Sequence, residues 1–148
     1  MPAPAATIDS SLVAGLRLAV MRLSRRLRQQ SAGDGDVTAS LLSALSTIEH
    51  QGPLTLGELA AVERVQPPSM TRIVGRLEEL GYVTREPDAR DKRVARVRAS
   101  DDGRRFVVRS RTRKNAYLAE RLRRLDADEL RVLEQALPLL ERLVDDDR

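Results

Sequence analysis

The sequence lacks cysteine altogether and contains a single histidine, His50. Without cysteine the chain can form no disulfide, no thiolate nucleophile, no thiol redox switch and no cysteine-ligated zinc site. One histidine is too few for a histidine metal cluster. The sequence also contains neither a glycine-rich phosphate loop nor a nucleophile elbow. We therefore expect no metal site, no cofactor and no enzymatic activity.

Aromatic residues and long apolar runs are also scarce. Phe106, Tyr82 and Tyr117 are the only aromatic residues, too few for a platform that stacks single-stranded nucleic acid. No apolar run approaches the roughly 18 residues of a membrane span. The first residues lack the basic flank and apolar stretch of a signal peptide. The length of 148 residues suits one domain, and we expect a cytoplasmic protein with no membrane partner.

Charge, by contrast, is abundant and unevenly distributed. The first 125 residues contain 23 basic and 14 acidic residues, whereas residues 126–148 contain eight acidic and three basic ones. Nearly all the bases are arginine, which forms planar, bidentate contacts with phosphate and guanine. A basic body with an acidic tail favours a polyanionic partner. The alternative is that these charges only solvate helix faces.

Both ends of the sequence show helical periodicity. After a loose arm over residues 1–8, Asp9 or Ser10 can cap a helix with an apolar residue at every third or fourth position. Near the other end, Asp126 begins a helix with a two-heptad a/d pattern, which Pro138 should kink or locally break. These faces predict packing on another helix, in the same chain or in a second subunit. They comprise Leu12, Leu16, Val20, Leu23 and Leu27, and Leu130, Leu133, Leu137, Leu140 and Val144.

Between the ends, the sequence predicts helices and one β-hairpin. Thr55 and Glu58 form a capping box, Pro67 suits a first helical position, and Gly81 suits the left-handed residue that ends a helix. Alternating β-branched residues flank a long charged tip, which is typical of a hairpin. The predicted helices span about 38–50, 56–63, 67–80 and 100–124, the predicted strands span 82–86 and 94–98, and a loop covers 31–36.

The helix over 67–80 has one apolar and one polar side. Met70, Ile73, Val74 and Leu77 lie within about a third of the helical circle and should face the core. The opposite side, small and polar at its N-terminal end, would fit a DNA major groove. We expect Arg72 to read guanine and other residues to bind phosphate. The alternative is an ordinary amphipathic helix with a wet outer face. The predicted contact residues are Gln66, Pro68, Ser69, Thr71, Arg72 and Arg76.

The hairpin tip interleaves bases with acids. Asp91 precedes Arg93 by two residues and could hold that arginine in a fixed pose. An arginine held in this way could enter a narrow minor groove, where the negative potential is strongest. The alternative is a solvated tip with local ion pairs. The predicted wing residues are Arg85, Arg90, Asp91, Lys92 and Arg93.

These motifs resemble the MarR (multiple-antibiotic-resistance regulator) family of bacterial winged-helix regulators. The similarity is specific over about Leu54–Ser100: Leu54-Thr55-Leu56-Gly57-Glu58-Leu59-Ala60 resembles the first helix of its motif, Pro68-Ser69-Met70-Thr71-Arg72-Ile73-Val74 its recognition helix, and Asp88-Ala89-Arg90-Asp91-Lys92-Arg93 its wing.

The resemblance implies a mainly α fold with a small β-hairpin wing, a winged helix-turn-helix flanked by long dimerisation helices. It divides the chain into residues 1–36, 37–100 and 101–148. It also implies a homodimeric repressor that binds a pseudo-palindromic operator in double-stranded DNA, with release by a small-molecule effector possible. Dimerisation would use Leu12, Leu16, Leu130, Leu133, Leu137 and Leu140.

Other interpretations remain open at this point. A winged helix can serve as a protein-interaction or architectural nucleoid module without ligand response. The absence of cysteine separates the chain from the thiol-oxidation branch of the family, and three aromatic residues leave little to stack on a phenolic effector. His50 suits a helix C-terminus as a cation, or could contact an effector or act as a pH-sensitive group.

Overall fold

A computed structural model of the chain describes residues 8–31 and 35–145. The predicted N-terminal arm, the middle of the predicted loop at 32–34 and the last three residues of the acidic tail lie outside these ranges, apart from residue 8. The chain divides into two compact units, Met1–Lys114 and Asn115–Arg148. The three functional segments expected from the sequence stay a prediction.

The element order is that of a winged helix with long flanking helices. Six helices and three strands follow one another, and five of the helices begin and end within two residues of the predicted positions. They are α1 (Ser10–Gln29), α2 (Ala39–Gln51), β1 (Leu54–Thr55), α3 (Leu56–Glu63), α4 (Pro67–Glu79), β2 (Val83–Pro87), β3 (Ala95–Ala99), α5 (Asp101–Leu122) and α6 (Ala127–Val144).

Helix starts are set by side-chain caps. Asp9 caps α1, Thr38 caps α2, and Thr55 with Glu58 forms the predicted capping box of α3. Asp126 forms a second capping box at α6. Each cap oxygen accepts a backbone N–H that the first helical turn leaves without an intrahelical partner. Gln66 is extended and makes no side-chain cap, so α4 begins on its proline instead.

The core of the first unit lies between α2, α3, α4, the sheet and the start of α5. Leu45, Leu59, Met70 and Leu77 are fully buried there. Gly103 lets α5 pack closely against the backbone at Tyr82, because a Cβ at this position would lie 2.1 Å from the Tyr82 carbonyl oxygen. The complete cluster is Leu41, Leu42, Ala44, Leu45, Ile48, Leu59, Ala60, Met70, Val74, Leu77, Val83, Val97, Ala99, Phe106 and Val107.

The sheet has one strand more than the hairpin predicted from sequence. Its order is β1-β3-β2 with antiparallel pairing, so β3 is central and β1 ties the sheet to the start of α3. The hairpin strands lie one residue later than predicted. Arg85 was expected at the hairpin tip, but it lies within β2, opposite Val97. That expectation was wrong because the strand continues to Pro87.

The terminal helices leave their apolar faces uncovered. No described residue of α1 or α6 is buried within the chain. Leu12, Leu133 and Leu137 are exposed, and Leu16, Leu130 and Leu140 are half-buried. Helix α6 continues through Pro138 without the predicted break.

Candidate nucleic-acid interface

Helix α4 presents a polar face opposite the core. Met70, Val74 and Leu77 are completely buried, as the periodicity predicted, while Ile73 is half-buried against the core cluster. On the other side Gln66, Pro68, Thr71 and Arg72 are exposed and Ser69 is half-buried. The structure therefore brings five of the six predicted contact residues together at the N-terminal end of α4, whereas the sixth, Arg76, lies in the last turn of the helix.

The side chains of this face differ in how many donors they leave free. Arg72 Nη2 donates to Ser69 Oγ at 3.4 Å, a long contact that leaves the rest of its planar fork available. Thr71 Oγ1 donates to the Pro67 carbonyl oxygen at 3.0 Å, so its oxygen can accept but its hydrogen is already used. Arg72 is thus the side chain of this face best supplied to read a base edge.

Arg76 is held by two carboxylates of its own chain. Its Nη1 donates to Glu79 Oε2 at 2.9 Å and its Nη2 to Asp36 Oδ2 at 3.0 Å. These contacts, the Glu79 hydrogen bond above all, raise the pKa of Arg76. A phosphate would have to displace at least one of these carboxylates.

The wing tip, residues 88–94, is closed by backbone hydrogen bonds. Asp88 N donates to Val94 O at 2.8 Å, and Val94 N donates to Asp91 O at 2.9 Å. Within the described part of the chain, the exposed side chains of Arg90 and Lys92 have no ion-pair partner. Arg85 lies below the tip and donates through Nε to Glu78 at 2.9 Å. Arg90 and Lys92 are therefore the readily available cations of the hairpin.

Asp91 holds Arg93 by three hydrogen bonds, as its spacing predicted. The carboxylate accepts from the Arg93 backbone N–H at 3.1 Å, from Nε at 3.1 Å and from Nη2 at 3.2 Å. Arg93 stays 90% exposed, and its hydrogen bond lowers the pKa of Asp91. The guanidinium thus projects from the tip in a fixed pose with several donors left for a ligand.

Sequence reasoning missed a second carboxylate–arginine pair that holds the tip itself. Asp88 accepts from the backbone N–H groups of Arg90 and Asp91 and from Arg96 Nε. Arg96 also donates to Glu58 Oε2 at 3.2 Å, in the capping box of α3. No local pattern indicates this pairing, because it depends on the register of the hairpin.

A basic cleft of about 960 Å³ lies beside α2, away from the outward face of α4. Among the described residues, four cations line it, and no Asp, Glu, Phe or Tyr does. Burial lowers the pKa of Lys114. His50, in the last turn of α2, is exposed and also lines the cleft, so it fits both interpretations of that residue. The lining is Arg25, Arg28, Gln29, Ser31, Val37, Thr38, Ala39, Leu42, Ser43, Ser46, Thr47, His50, Gln51, Arg111 and Lys114.

Among the helices of residues 8–31 and 35–145, none combines the length and apolar character that a bilayer span requires. Over the same ranges, no three His, Cys, Asp or Glu side chains form a group that could hold a metal ion.

Similarity to known proteins covers nearly the whole chain. The model of the MarR family matches residues 37–95. An HTH-type transcriptional regulator of Mycobacterium leprae is 41% identical over 138 residues, which cover 93% of this chain and 96% of that protein. The multiple antibiotic resistance protein MarR of Salmonella typhimurium is 33% identical over 103 residues, which cover 69% of this chain and 72% of that protein.

Solved structures agree with this assignment. A transcriptional regulator protein from Pseudomonas aeruginosa PA01 has a TM-score of 0.83 and 34% identity, and the match covers 93% of this chain and 96% of that one. A MarR family protein from Bacillus stearothermophilus has a TM-score of 0.79 and 25% identity, over 93% of this chain and 99% of that one. The chain belongs to the MarR family and is a winged-helix transcriptional regulator.

Proposed function

We propose that this regulator is a repressor that binds a pseudo-palindromic operator as a homodimer. The observation that carries the proposal is the pairing of two differently built arginine sites on one lobe. Arg72 stands on the outward face of α4 with most of its donors free, and Arg93 is fixed at the wing tip by Asp91. A helix face for the major groove beside a held arginine for the minor groove favours a duplex over other polyanions.

The uncovered terminal helices support the dimer. Leu12 is 65% exposed and Leu137 is 56% exposed, and neither α1 nor α6 buries any described residue. Apolar stripes of this length are normally covered in a soluble protein, and a second copy would cover them by two-fold symmetry. Two lobes related in this way would contact half-sites about one helical turn apart, in major grooves on the same side of the duplex.

Selection of bound duplexes from a random pool tests the DNA proposal. We expect a pseudo-palindromic sequence to be enriched and its affinity to fall with salt, with a slope of about −0.9 in log–log terms for each phosphate contact. Expression of a reporter gene whose promoter carries the selected sequence should fall when the regulator is present. Equal binding of all duplexes would favour an architectural module, and a slope near zero would contradict a DNA-binding role.

The basic cleft supports an anionic effector as a second part of the function. Arg25, Arg28, Arg111 and Lys114 face a space of about 960 Å³, and of these four only Arg111 lies near a described carboxylate, 3.7 Å from Glu49 Oε2. Without an aromatic lining residue, the cleft suits a hydrophilic anion of several charges better than a phenolic acid.

Ligand-induced changes in thermal unfolding test the cleft. We expect citrate to raise the unfolding temperature more than salicylate does at equal ionic strength, and to weaken DNA binding. The variant Arg111→Gln should lose the citrate response, whereas Arg105→Gln, on the same helix but outside the cleft lining, should keep it. A citrate response that survives Arg111→Gln would contradict this site.

A further inference from the structure

The carboxylate of Asp88 is the centre of the wing tip. Its side chain is only 13% exposed, which is unusual for an acid in a hairpin loop. Oδ1 accepts from the backbone N–H groups of Arg90 at 2.8 Å and Asp91 at 3.1 Å. Oδ2 accepts from Arg96 Nε. Both oxygens are thus occupied by donors of the same hairpin.

Arg96 extends this contact to the body of the winged helix. It lies on the central strand β3, opposite Thr55 of β1 on one side and Glu86 of β2 on the other. Its Nη1 donates to the Pro53 carbonyl oxygen at 3.3 Å and to Glu58 Oε2 at 3.2 Å. Glu58 Oε2 also accepts from Thr55 N at 2.9 Å, inside the capping box of α3. A continuous chain of hydrogen bonds therefore runs from the start of α3 to the wing tip.

Backbone hydrogen bonds close the tip on itself, but no apolar packing fixes it to the rest of the protein. No residue from 88 to 94 is buried, and Val94, the one large apolar side chain there, is 38% exposed. A short two-stranded ribbon has little stability of its own in water. Charge-assisted hydrogen bonds to a nearly buried carboxylate are about twice as strong as neutral ones, so the pose of the tip depends on Asp88 and Arg96.

We propose that Asp88 and Arg96 are positioning residues for DNA binding, which fix the wing tip on the start of α3 and so set where Arg93 enters the minor groove when Arg72 is in the major groove. Asp91 orients the Arg93 side chain, whereas Asp88 orients the turn that carries Asp91. We expect neither Asp88 nor Arg96 to contact DNA, because both oxygens of Asp88 and the Nε and Nη1 of Arg96 are engaged within the protein. The inference rests on the proposed DNA-binding function.

The proposal predicts a sign opposite to simple electrostatics. Deleting an acid beside DNA should tighten binding if only net charge matters. We expect Asp88→Asn to weaken it instead, by about tenfold, the loss typical of one specific contact. Asparagine keeps an oxygen that accepts the two backbone N–H groups but loses the charge that holds Arg96.

Flank preference separates positioning from a general loss of stability. The probes are the duplexes that the wild-type protein selects from a random pool, rebuilt with either A·T or G·C flanks. A partly unfolded variant loses affinity for both probes by the same factor. Misplacement of Arg93 should instead remove the preference for the A·T flank, where the groove is narrow. Asp88→Asn and Arg96→Gln should both do so, and the double variant should be no worse than either alone.

Two further variants sharpen the test. Arg96→Lys keeps the charge but not the fork that reaches two carboxylates, so it should behave like Arg96→Gln. Glu86→Gln is the matched control, because Glu86 pairs with Arg98 on the same hairpin at 2.9 Å and has no contact with the tip. It should keep the flank preference. In Arg96→Gln the salt slope should stay at the wild-type value, since no phosphate contact is lost.

Three results would overturn the proposal. They are tighter binding by Asp88→Asn, full activity of Arg96→Lys, and a salt slope of Arg96→Gln reduced by about 0.9 per subunit, which would make Arg96 a phosphate contact. Amide hydrogen exchange in the free protein gives an independent readout. Exchange of the Arg90 and Asp91 N–H groups should be faster in Asp88→Asn. If the wild type selects no duplex, the proposed function fails, while the exchange rates still decide whether Asp88 holds the tip.

Discussion

At the scale of single residues, an arginine of the interface is defined by the carboxylate that holds it. Arg93 is held at the tip with its donors outward, whereas Arg76 is paired with Glu79 and Asp36. The first contact orients a cation toward a ligand, and the second withholds one. Exposed pairs of this kind are weak, so the loss of one carboxylate is enough to make Arg76 available to DNA phosphate.

Removal of Glu79 should therefore strengthen DNA binding. We expect Glu79→Gln to tighten binding up to about fivefold, because Arg76 gains a phosphate contact that Glu79 withholds in the wild type. The released Arg76 should also steepen the salt slope by about 0.9 per subunit. Affinity measured at several salt concentrations tests both numbers. Glu134→Gln, which removes an exposed acid of α6, is the control that should change neither, and an unchanged slope in Glu79→Gln would contradict the release of Arg76.

The loss of Arg72 and the loss of Arg93 should have different effects on DNA affinity and sequence preference. Arg72→Ala should cost about 1–3 kcal/mol and relax the preference at one position of each half-site, because a base contact is lost. Arg93→Ala should instead weaken binding to many sequences, most strongly where A·T flanks narrow the minor groove. Binding-site selection repeated with each variant distinguishes them. An unchanged consensus for Arg72→Ala would remove this residue from base readout.

Gly103 shows that one missing Cβ can decide how closely α5 packs. A Cβ there would lie 2.1 Å from the Tyr82 carbonyl oxygen, which is a backbone atom and cannot move away as the end of a flexible side chain could. We expect Gly103→Ala to destabilise the protein by about 1–3 kcal/mol, although alanine favours helices. Gly75→Ala, in α4, is the matched control, since no atom lies within 4 Å of a Cβ added at this position. This variant should stabilise the protein by up to about 1 kcal/mol. Urea unfolding of both variants measures the difference.

At the scale of elements, the hairpin carries three carboxyl groups whose pKa values are lowered in the folded state. The Arg96 hydrogen bond lowers the pKa of Asp88 from 3.8 to about 2, and contacts with Arg93 and Arg98 lower the pKa of Asp91 and Glu86. Each pKa is lower in the folded state, so the unfolded chain takes up protons first as the pH falls. The stabilising contribution of Asp88 is therefore complete above about pH 4 and is lost toward pH 2.

Acid unfolding of an Asp88 variant tests this linkage. Asp88→Asn cannot take up that proton, so its unfolding midpoint in urea should fall less than that of the wild type between pH 5 and pH 2.5. At neutral pH the variant should be the less stable of the two. Equal losses on acidification would show that Asp88 does not carry the acid sensitivity of the hairpin.

Elements defined by local signals were accessible from the sequence. Leucine spacing and caps such as Thr55 with Glu58 depend on residues within four positions of each other, and the helices follow them closely. The contact between Asp91 and Arg93 spans only two residues and was predicted from their spacing as well. The recognition face of α4 followed from its buried side, because a helix with one apolar stripe has only one orientation on a core.

Elements and contacts defined by register were not accessible. Strand β1 has two residues and exists only because β3 lies beside it. The contact of Asp88 with Arg96 spans eight residues and appears only once the strands are aligned. Pro138 was expected to kink or locally break α6, and the helix continues through it without a break. Proline removes one hydrogen bond, and the flanking turns can compensate for that loss.

At the scale of the whole molecule, the terminal helices should decide the oligomeric state. Leu133→Asp places a charge on the exposed apolar face of α6, and Leu12→Asp does the same on α1. We expect either variant to halve the mass measured by light scattering, because a charge cannot be buried unpaired in a subunit interface. Val62→Asp, at an exposed position of α3, should leave the mass unchanged. A wild-type protein with the mass of one chain would contradict the dimer.

The pairs formed by Arg76, Arg85 and Arg93 also affect how such a regulator searches a chromosome. A genome offers on the order of 10⁶–10⁹ competing stretches of duplex, each of which retains a protein mainly through its phosphate charge. A surface on which cations such as Arg76 and Arg85 are already paired with carboxylates is retained for a shorter time at each of them. Few copies of the protein are then sequestered on unrelated DNA, and a small number of molecules suffices to keep a matching site occupied.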